Sequence, residues 1–200
     1  DNNLSIMGKR SISIPLGETK ISRPVRSLDI ILKTCTTVNL VTQNKKRIFE
    51  QEKSEYTLRT LKSLINSLVF NVNELSKINI RFFIIDYNSK KNDLLIMEKM
   101  LKDTSFQYQI IPLNLNDFSQ IKTLNKNNPV IENNMKSTMA SILTSFKIAK
   151  EKSKDLIYFV EDDYIHKKES LAEMLFTYEK ISSEINKEIF LCPVDYPYLY

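Results

Sequence analysis

The stretch 155-DLIYFVEDD-163 decides the fold, because an apolar run of strand length passes directly into a cluster of carboxylates. Residues 156 to 160 are all apolar, which is typical of a strand in a largely parallel sheet. Glu161, Asp162 and Asp163 follow without a spacer. Adjacent carboxylates repel one another unless water, cations or hydrogen-bond donors surround them. The stretch therefore predicts a strand that ends in a polar site.

Similar apolar runs recur along the chain, and segments with helical spacing of apolar residues separate them. This alternation predicts an α/β, Rossmann-like fold with a mostly parallel central sheet flanked by helices. The predicted strands are 28-LDIILKTC-35, 79-NIRFFII-85, 106-FQYQIIPL-113 and 155-DLIYFV-160, with a last buried strand at 189-IFLCPV-194. The predicted helices cover residues 55–70, 92–102, 136–152 and about 170–185.

Three local expectations follow from these patterns. The asparagine-rich segment 114–134 is expected to be loop with one helical turn. Ser170 and Glu173 have the spacing of a capping box at the start of the last helix. The side chains expected to face inward from the helix over 136–152 are those of Met139, Ile142, Leu143, Phe146 and Ala149.

The composition is that of a single globular domain. The chain has 200 residues, 42% of them hydrophobic and 26% charged, which suits one domain with a substantial core. Residues 1–27 lack sustained periodicity and are interpreted as an N-terminal extension, with the domain spanning 28–200. Two cysteines without zinc-ligand spacing indicate a reducing cytoplasm.

The net charge of +5 narrows the choice of partners. The lysines are not interleaved with arginine and aromatic residues, which argues against a nucleic-acid partner. A modest positive charge instead suits a phosphorylated substrate or an anionic membrane surface. In the second case the protein would associate peripherally with the inner face of the membrane. No apolar segment approaches the roughly 20 residues that span a bilayer.

Glycine is nearly absent, and this excludes a class of binding sites. The two glycines are Gly8 and Gly17, so residues 18 to 200 contain none. Both glycine-rich phosphate-binding loops, G-x-G-x-x-G and G-x-x-x-x-G-K-[ST], are therefore excluded. A phosphorylated ligand would have to be held by a metal or by basic side chains.

Polar residues stand at the predicted carboxyl ends of three strands, where ligands bind in open parallel sheets. Thr34 ends the first strand, Asp86 the second, and residues 161–163 follow the fourth. Hard cations such as Mn²⁺ or Mg²⁺ need few carboxylates, because water and ligand phosphates fill the remaining positions. A metal bridging the protein to a diphosphate would fit this pattern. The acids could alternatively cap a helix or pair with Lys167 and Lys168.

The order of these motifs resembles the nucleotide-diphospho-sugar glycosyltransferases of the GT-A fold, and is most similar to the inverting family 2. The resemblance rests on 30-IILKTC-35, 57-TLRTLKSLINSL-68, 82-FFIIDYNSKKND-93 and 155-DLIYFVEDD-163. It implies that Thr34 and Cys35 line the nucleotide pocket and that Asp86 contacts the base or ribose. It implies that Asp163 is the direct metal ligand. Glu161, at the first D-x-D position, would face the ribose or a metal-bound water, and Asp162 would be the middle, variable position.

The resemblance further implies a hexosyltransferase-type activity with a nucleotide-diphosphate-sugar donor and a glycan or lipid-linked hydroxyl acceptor. The family's general base lies well beyond the D-x-D motif, whereas only 37 residues follow Asp163 here. Either the chain is a fragment, or acceptor recognition is minimal, or Asp195 is the base. His166, the only histidine, is expected at the surface, with an acceptor or phosphate contact as the alternative.

Two other functions stay open at this stage. A non-catalytic sugar-nucleotide-binding module would explain the short region after Asp163. A receiver-like signalling domain also gathers acids at strand ends, but it would need an acidic pair where this chain has 34-TCTT-37.

Overall fold

The computed structural model describes residues 20–37, 52–123 and 128–193. These ranges form strands and helices in alternation, with a 3₁₀ turn at Leu115–Phe118. The elements are β1 (Ser27–Thr34), α1 (Lys53–Phe70), β2 (Asn79–Asp86), α2 (Lys91–Lys102), β3 (Gln107–Pro112), α3 (Pro129–Lys152), β4 (Leu156–Val160) and α4 (Ser170–Ile185). None of these helices combines the length and the apolarity that a bilayer crossing demands.

The four described strands form one sheet in the order β3-β2-β1-β4, and every pairing is parallel. Thr34 at the end of β1 is in register with Asp86 at the end of β2, and Leu32 is in register with Val160. The carboxyl ends of β1, β2 and β4 therefore meet at one edge of the sheet. The predicted α/β, Rossmann-like fold is confirmed.

The two central strands, β1 and β2, form the core of the sheet. Ile30, Ile31 and Leu32 are inaccessible to water, as are Phe82 and Ile84 on β2. Consecutive buried residues point to opposite faces, so both faces of these strands are covered. Each such side chain contributes about 1.5–3 kcal/mol by leaving water.

The buried side of α1 combines leucines with hydroxyl side chains. Leu61, Leu64 and Leu68 are buried, as their helical spacing predicts. Thr57 and Thr60 extend the same side toward the start of the helix and are also buried. The amino-terminal turns of α1 are thus polar on the inside, which matters for the site described below.

The prediction for the inward side of α3 is wrong for three of its five residues, because Met139, Leu143 and Phe146 are exposed. Ile142 and Ala149 are partly buried, and Ala149 packs against the core of the sheet. Small residues are buried instead, namely Ser137, Ala140, Ser141 and Ser145, together with Ile148. The hydroxyls of Ser141 and Ser145 each donate to the carbonyl four residues earlier at 2.8 Å. Because these bonds satisfy the hydroxyls, serine can be buried here at little cost.

The start of α3 also differs from the expectation, because residues 129–134 are helical rather than loop. The side chain of Asn128 accepts hydrogen bonds from the N–H groups of Val130 at 3.0 Å and Ile131 at 3.2 Å. Pro129 occupies the first helical position, where its missing N–H costs nothing. With Asn128 as its cap and Pro129 as its first residue, the helix begins about two turns before the predicted start at residue 136.

The described residues group into two compact units, 25–172 and a smaller one made of 20–24 and 173–193. The larger unit holds the sheet. In the smaller one, the Oγ of Ser183 accepts hydrogen bonds from the N–H groups of Ser22 and Arg23, both at 3.1 Å. Glu188 pairs with Arg23 and accepts a hydrogen bond from the hydroxyl of Tyr178. The predicted domain boundary at Leu28 stays a prediction.

Two expectations about the last part of the chain are wrong. Ser170 is already the first residue of α4, and its hydroxyl donates to the carbonyl of Lys167 at 2.8 Å, so it is not the helix cap. Residues 189–193 have no regular secondary structure, and Phe190 and Cys192 are exposed rather than buried in a strand. Pro193, which has no N–H to donate, does not favour a strand there.

Candidate functional site

Three strand ends converge at the carboxyl edge of the sheet, and the side chains there are polar. Thr34 lies at the end of β1 and Asp86 at the end of β2, while Glu161, Asp162 and Asp163 follow β4. The parallel register places these ends next to one another. The structure therefore brings together every predicted site residue except Asp195, which lies outside the described residues.

Thr34 and Asp86 are joined directly. The Thr34 hydroxyl donates to Oδ1 of Asp86 at 2.7 Å, and the backbone N–H of Ser89 donates to Oδ2 at 3.2 Å. Both side chains are buried. The two carboxylate oxygens thus accept hydrogen bonds from the protein itself, and Asp86 fixes the turn after β2 against the end of β1.

The turn after β2 is built without glycine. Asn88 has a φ of 57°, in the left-handed region where asparagine is the best-tolerated residue after glycine. The carbonyl of Asn88 accepts a hydrogen bond from the Thr37 hydroxyl at 2.7 Å. The backbone N–H of Thr36 donates to Oγ of Ser89 at 3.0 Å, and the Thr36 hydroxyl accepts from the N–H of Lys90 at 2.8 Å. These bonds connect the segments that follow β1 and β2.

Asp162 is the buried member of the acidic cluster. Its Oδ2 accepts hydrogen bonds from the backbone N–H of Cys35 at 3.2 Å and from the Thr57 hydroxyl at 2.8 Å. Its Oδ1 lies 2.5 Å from Nζ of Lys53, in the first turn of α1. Asp162 therefore ties the end of β4 to the end of β1 and to the start of α1, and its oxygens face inward.

Glu161 and Asp163 flank Asp162 and point to solvent. The side chain of Glu161 is 61% exposed and pairs with Lys33 at 2.8 Å. The side chain of Asp163 is 40% exposed and lies 3.9 Å from Nζ of Lys53. The three acids are thus unequal: one is structural, and two stand at the surface beside lysines.

The donor set fits a particular kind of metal site. Within the described ranges, no group of three or more acids, histidines or cysteines is arranged to hold a metal ion. Glu161 and Asp163 still offer exposed carboxylate oxygens on either side of one residue. Mg²⁺ and Mn²⁺ commonly bind through one or two carboxylates, with water and substrate phosphates completing the shell. The residues present fit such a shared site, and do not fit a cation held by the protein alone.

The lysines of this site, Lys33 and Lys53, were not predicted from the sequence. The ammonium of Lys53 is almost buried between two acids. Lys53 and Thr57 are four residues apart and share one helix side, which is a signal for a polar helix start. Their partner, however, is more than 100 residues away in sequence.

Cys35 takes part in the site through its backbone. Its N–H donates to Asp162, while its Sγ lies 3.8 Å from Oγ1 of Thr37. The thiol is partly buried and is not in a disulfide. The backbone contact requires a particular chain path but no particular side chain.

His166 anchors the segment that follows the acids, and is not the surface residue that the sequence suggested. Its Nε2 lies 2.8 Å from the hydroxyl of Tyr158, and its Nδ1 lies 3.4 Å from Oγ of Ser63 on α1. The backbone N–H of His166 also donates to that Oγ, at 3.0 Å. Burial lowers the pKa of His166 to about 4, well below its usual value near 6.5. The ring is therefore neutral at physiological pH.

The end of the same segment is fixed to α1 by a single carbonyl. The carbonyl of Lys168 accepts hydrogen bonds from Nδ2 of Asn71 at 2.7 Å and from Oγ of Ser67 at 3.1 Å. Together with the His166 contacts, these bonds hold residues 161–168 along α1. The position of Glu161 and Asp163 is thus set from both sides.

No protein-family model matches the chain, and no curated protein matches it either.

Proposed function

We propose that this protein is a metal-dependent glycosyltransferase that moves a sugar from a nucleotide-diphosphate donor to a hydroxyl acceptor. The observation that carries the proposal is that the three acids after β4 differ in burial and in their contacts. Asp162 is buried and structural, while Glu161 and Asp163 are held at the surface of the strand-end site. A rigid inner acid that presents two outer acids is what a shared metal site requires.

In this proposal Asp163 is the direct ligand of Mn²⁺ or Mg²⁺, and Glu161 is the second contact, direct or through water. When bound, the cation would supply positive charge that offsets the negative charge of the diphosphate leaving group. Asp162 keeps its contacts to Cys35 and Thr57 throughout, so the loop does not have to reorganise when the donor binds.

Because residues 18–200 contain no glycine-rich phosphate-binding loop, lysines would have to contact the diphosphate. Lys33 and Lys53 lie at the same strand ends and already contact Glu161, Asp162 and Asp163. A bound diphosphate would compete for the Lys33 ammonium, which is partly exposed, more readily than for the Lys53 ammonium, which is buried. We therefore propose that Lys33 contacts the diphosphate and that Lys53 holds Asp162 in place.

The nucleoside would lie over the ends of β1 and β2, near Thr34, Cys35 and Asp86. Both oxygens of Asp86 accept hydrogen bonds from Thr34 and Ser89, and each keeps a further lone pair that would accept from the base or ribose. The proposed general base is Asp195. The proposed acceptor is a glycan or lipid-linked hydroxyl, at the cytoplasmic face of a membrane.

Asp86 and Asp162 both accept hydrogen bonds from the protein itself, and this favours one alternative, a sugar-nucleotide-binding module without turnover. Both acids are committed to holding the fold, which leaves the two outer acids to bind but not to catalyse. A receiver-like domain is less well supported, because residues 35–37 contain no acid.

Isothermal titration calorimetry with a panel of nucleoside diphosphates, with and without Mn²⁺, tests the proposal. At least one should bind in a Mn²⁺-dependent manner, and Asp163→Asn should weaken that binding by about tenfold or more. Asp103→Asn removes an exposed acid at the end of α2 and serves as the matched control. If no nucleoside diphosphate binds, or if Asp163→Asn binds like the wild type, the proposal fails. Binding without donor hydrolysis or transfer would favour the non-catalytic module.

A further inference from the structure

The outward side of α3 carries exposed apolar side chains. Met139, Leu143 and Phe146 are spaced four and three residues apart, which places them on one side of the helix. They are 47%, 43% and 59% exposed. The ring of Phe146 meets the ring of Phe159 on β4, with centroids 5.5 Å apart and planes at 72°, and Phe159 is 46% exposed. We call these four residues the α3 apolar surface.

This surface is unusual because the buried side of α3 is made mostly of serine and alanine. A helix that only covers a sheet turns its large apolar side chains inward and its polar ones to water. In α3 Ile148 is buried, but Met139, Leu143 and Phe146 stay exposed. Clustered exposed apolar groups of this kind are typical of a surface that another protein covers.

The charges at the two ends of α3 indicate which protein that is. Glu132 lies in the first turn and Lys150 in the last. They are separated by five full turns, about 27 Å, so they lie on the same side of the helix at its opposite ends. Met139 and Leu143 lie between them, at equal distances from the midpoint at Ser141.

A surface with an acid at one end and a base at the other is complementary to its own copy turned end to end. If a two-fold axis crosses the outward side of α3 at the level of residue 141, Glu132 of each copy faces Lys150 of the other, and Met139 faces Leu143. In a parallel pair, like charges would meet at both ends. The self-complementary arrangement is the one that a two-fold interface requires.

We propose that the α3 apolar surface is the interface of a homodimer in which two copies of α3 pack antiparallel. The contact buries the exposed apolar side chains and forms two Glu132–Lys150 ion pairs per dimer. This proposal is independent of the proposed enzymatic function, since the strand-end acids are not part of the surface.

Analytical ultracentrifugation over a range of protein concentrations tests the proposal. The wild-type chain should dimerise, and Leu143→Glu should weaken the association by about 100-fold or more, because it buries a charge at the centre of the contact. Leu95→Glu, at an exposed apolar position on α2, is the matched control and should leave the dimer unchanged. Circular dichroism shows whether each variant is folded.

Exchanging the two charges tests whether the partner is a second copy of this chain or a different protein. Glu132→Lys alone and Lys150→Glu alone should each weaken the dimer by about tenfold at low salt, because each places like charges together twice. The double variant should recover the wild-type association. A chain that stays monomeric up to about 1 mM, or a dimer that tolerates Leu143→Glu, or a charge exchange without recovery, would overturn the proposal.

Discussion

The ammonium of Lys53 lies 2.5 Å from Oδ1 of Asp162, and both side chains are almost fully withdrawn from water. Removing one partner of such a pair leaves the other as an uncompensated buried charge. Asp162→Ala should therefore lower the free energy of unfolding by about 3–5 kcal/mol, measured by urea denaturation. Asp163→Ala, one residue away but exposed, is the control, and should change it by less than about 0.5 kcal/mol. Equal effects would contradict the structural role assigned to Asp162.

The Thr34–Asp86 hydrogen bond gives a second stability prediction. Thr34→Val keeps the shape of the side chain but removes the donor, which leaves a buried carboxylate oxygen without its partner. The expected loss is about 1–3 kcal/mol of unfolding free energy. Thr34→Ser retains the hydroxyl and should lose clearly less. If the valine variant proves as stable as the serine variant, the bond contributes nothing measurable.

His166 makes stability depend on pH in the acid range. The unfolded chain takes up a proton near pH 6.5, whereas burial lowers the pKa of the folded ring to about 4. Acid therefore favours the unfolded state, and the free energy of unfolding should decline as the pH falls from 6.5 to about 4. The decline should be about 1–2 kcal/mol, because solvent still reaches part of the ring.

Two measurements check this prediction. His166 is the only histidine, so its ring proton signals in an NMR titration report this site alone. His166→Gln should remove the histidine share of the pH dependence in urea denaturation. A midpoint near 6.5 in the folded protein would show that burial does not keep the ring neutral.

Asn88 gives a prediction about backbone conformation. Its positive φ of 57° is costly for residues with a Cβ atom that lack the local hydrogen bonding of asparagine. Asn88→Ala should cost about 1–2 kcal/mol of unfolding free energy. Asn88→Gly should recover most of that cost, although it loses the contact from Nδ2 to Oγ1 of Thr37. An alanine variant as stable as the glycine variant would show that the turn relaxes to a negative φ.

The elements that could be predicted from sequence are those whose signal is local. The strand at 156–160 was evident because five consecutive apolar residues end at a charged cluster, and β1, β2 and β3 followed from similar runs. The start of α3 was also readable, since Asn128 and Pro129 are a cap and a first-turn proline in sequence. It was missed because the surrounding asparagines favoured a loop.

The orientation of α3 and the inner contacts of the site could not be predicted in this way. Apolar periodicity predicted that the side of α3 with Met139 and Phe146 is buried. It does not take into account that serine can be buried when its hydroxyl donates to a carbonyl of the same helix. The pairing of Lys53 with Asp162 joins residues 109 positions apart. Nothing in either local sequence requires the other.

The contacts around Asp162 have a consequence for how the protein folds. They join residues 127, 109 and 105 positions apart, and the two strands that flank β1 are both paired parallel. Each parallel pairing requires a long crossover to close before any hydrogen bond forms, which slows folding. β4 is the last strand of the described residues and leads into the acids, so the acidic cluster is assembled only when β4 joins the sheet. A chain still emerging from the ribosome would have no such cluster until β4 has joined β1.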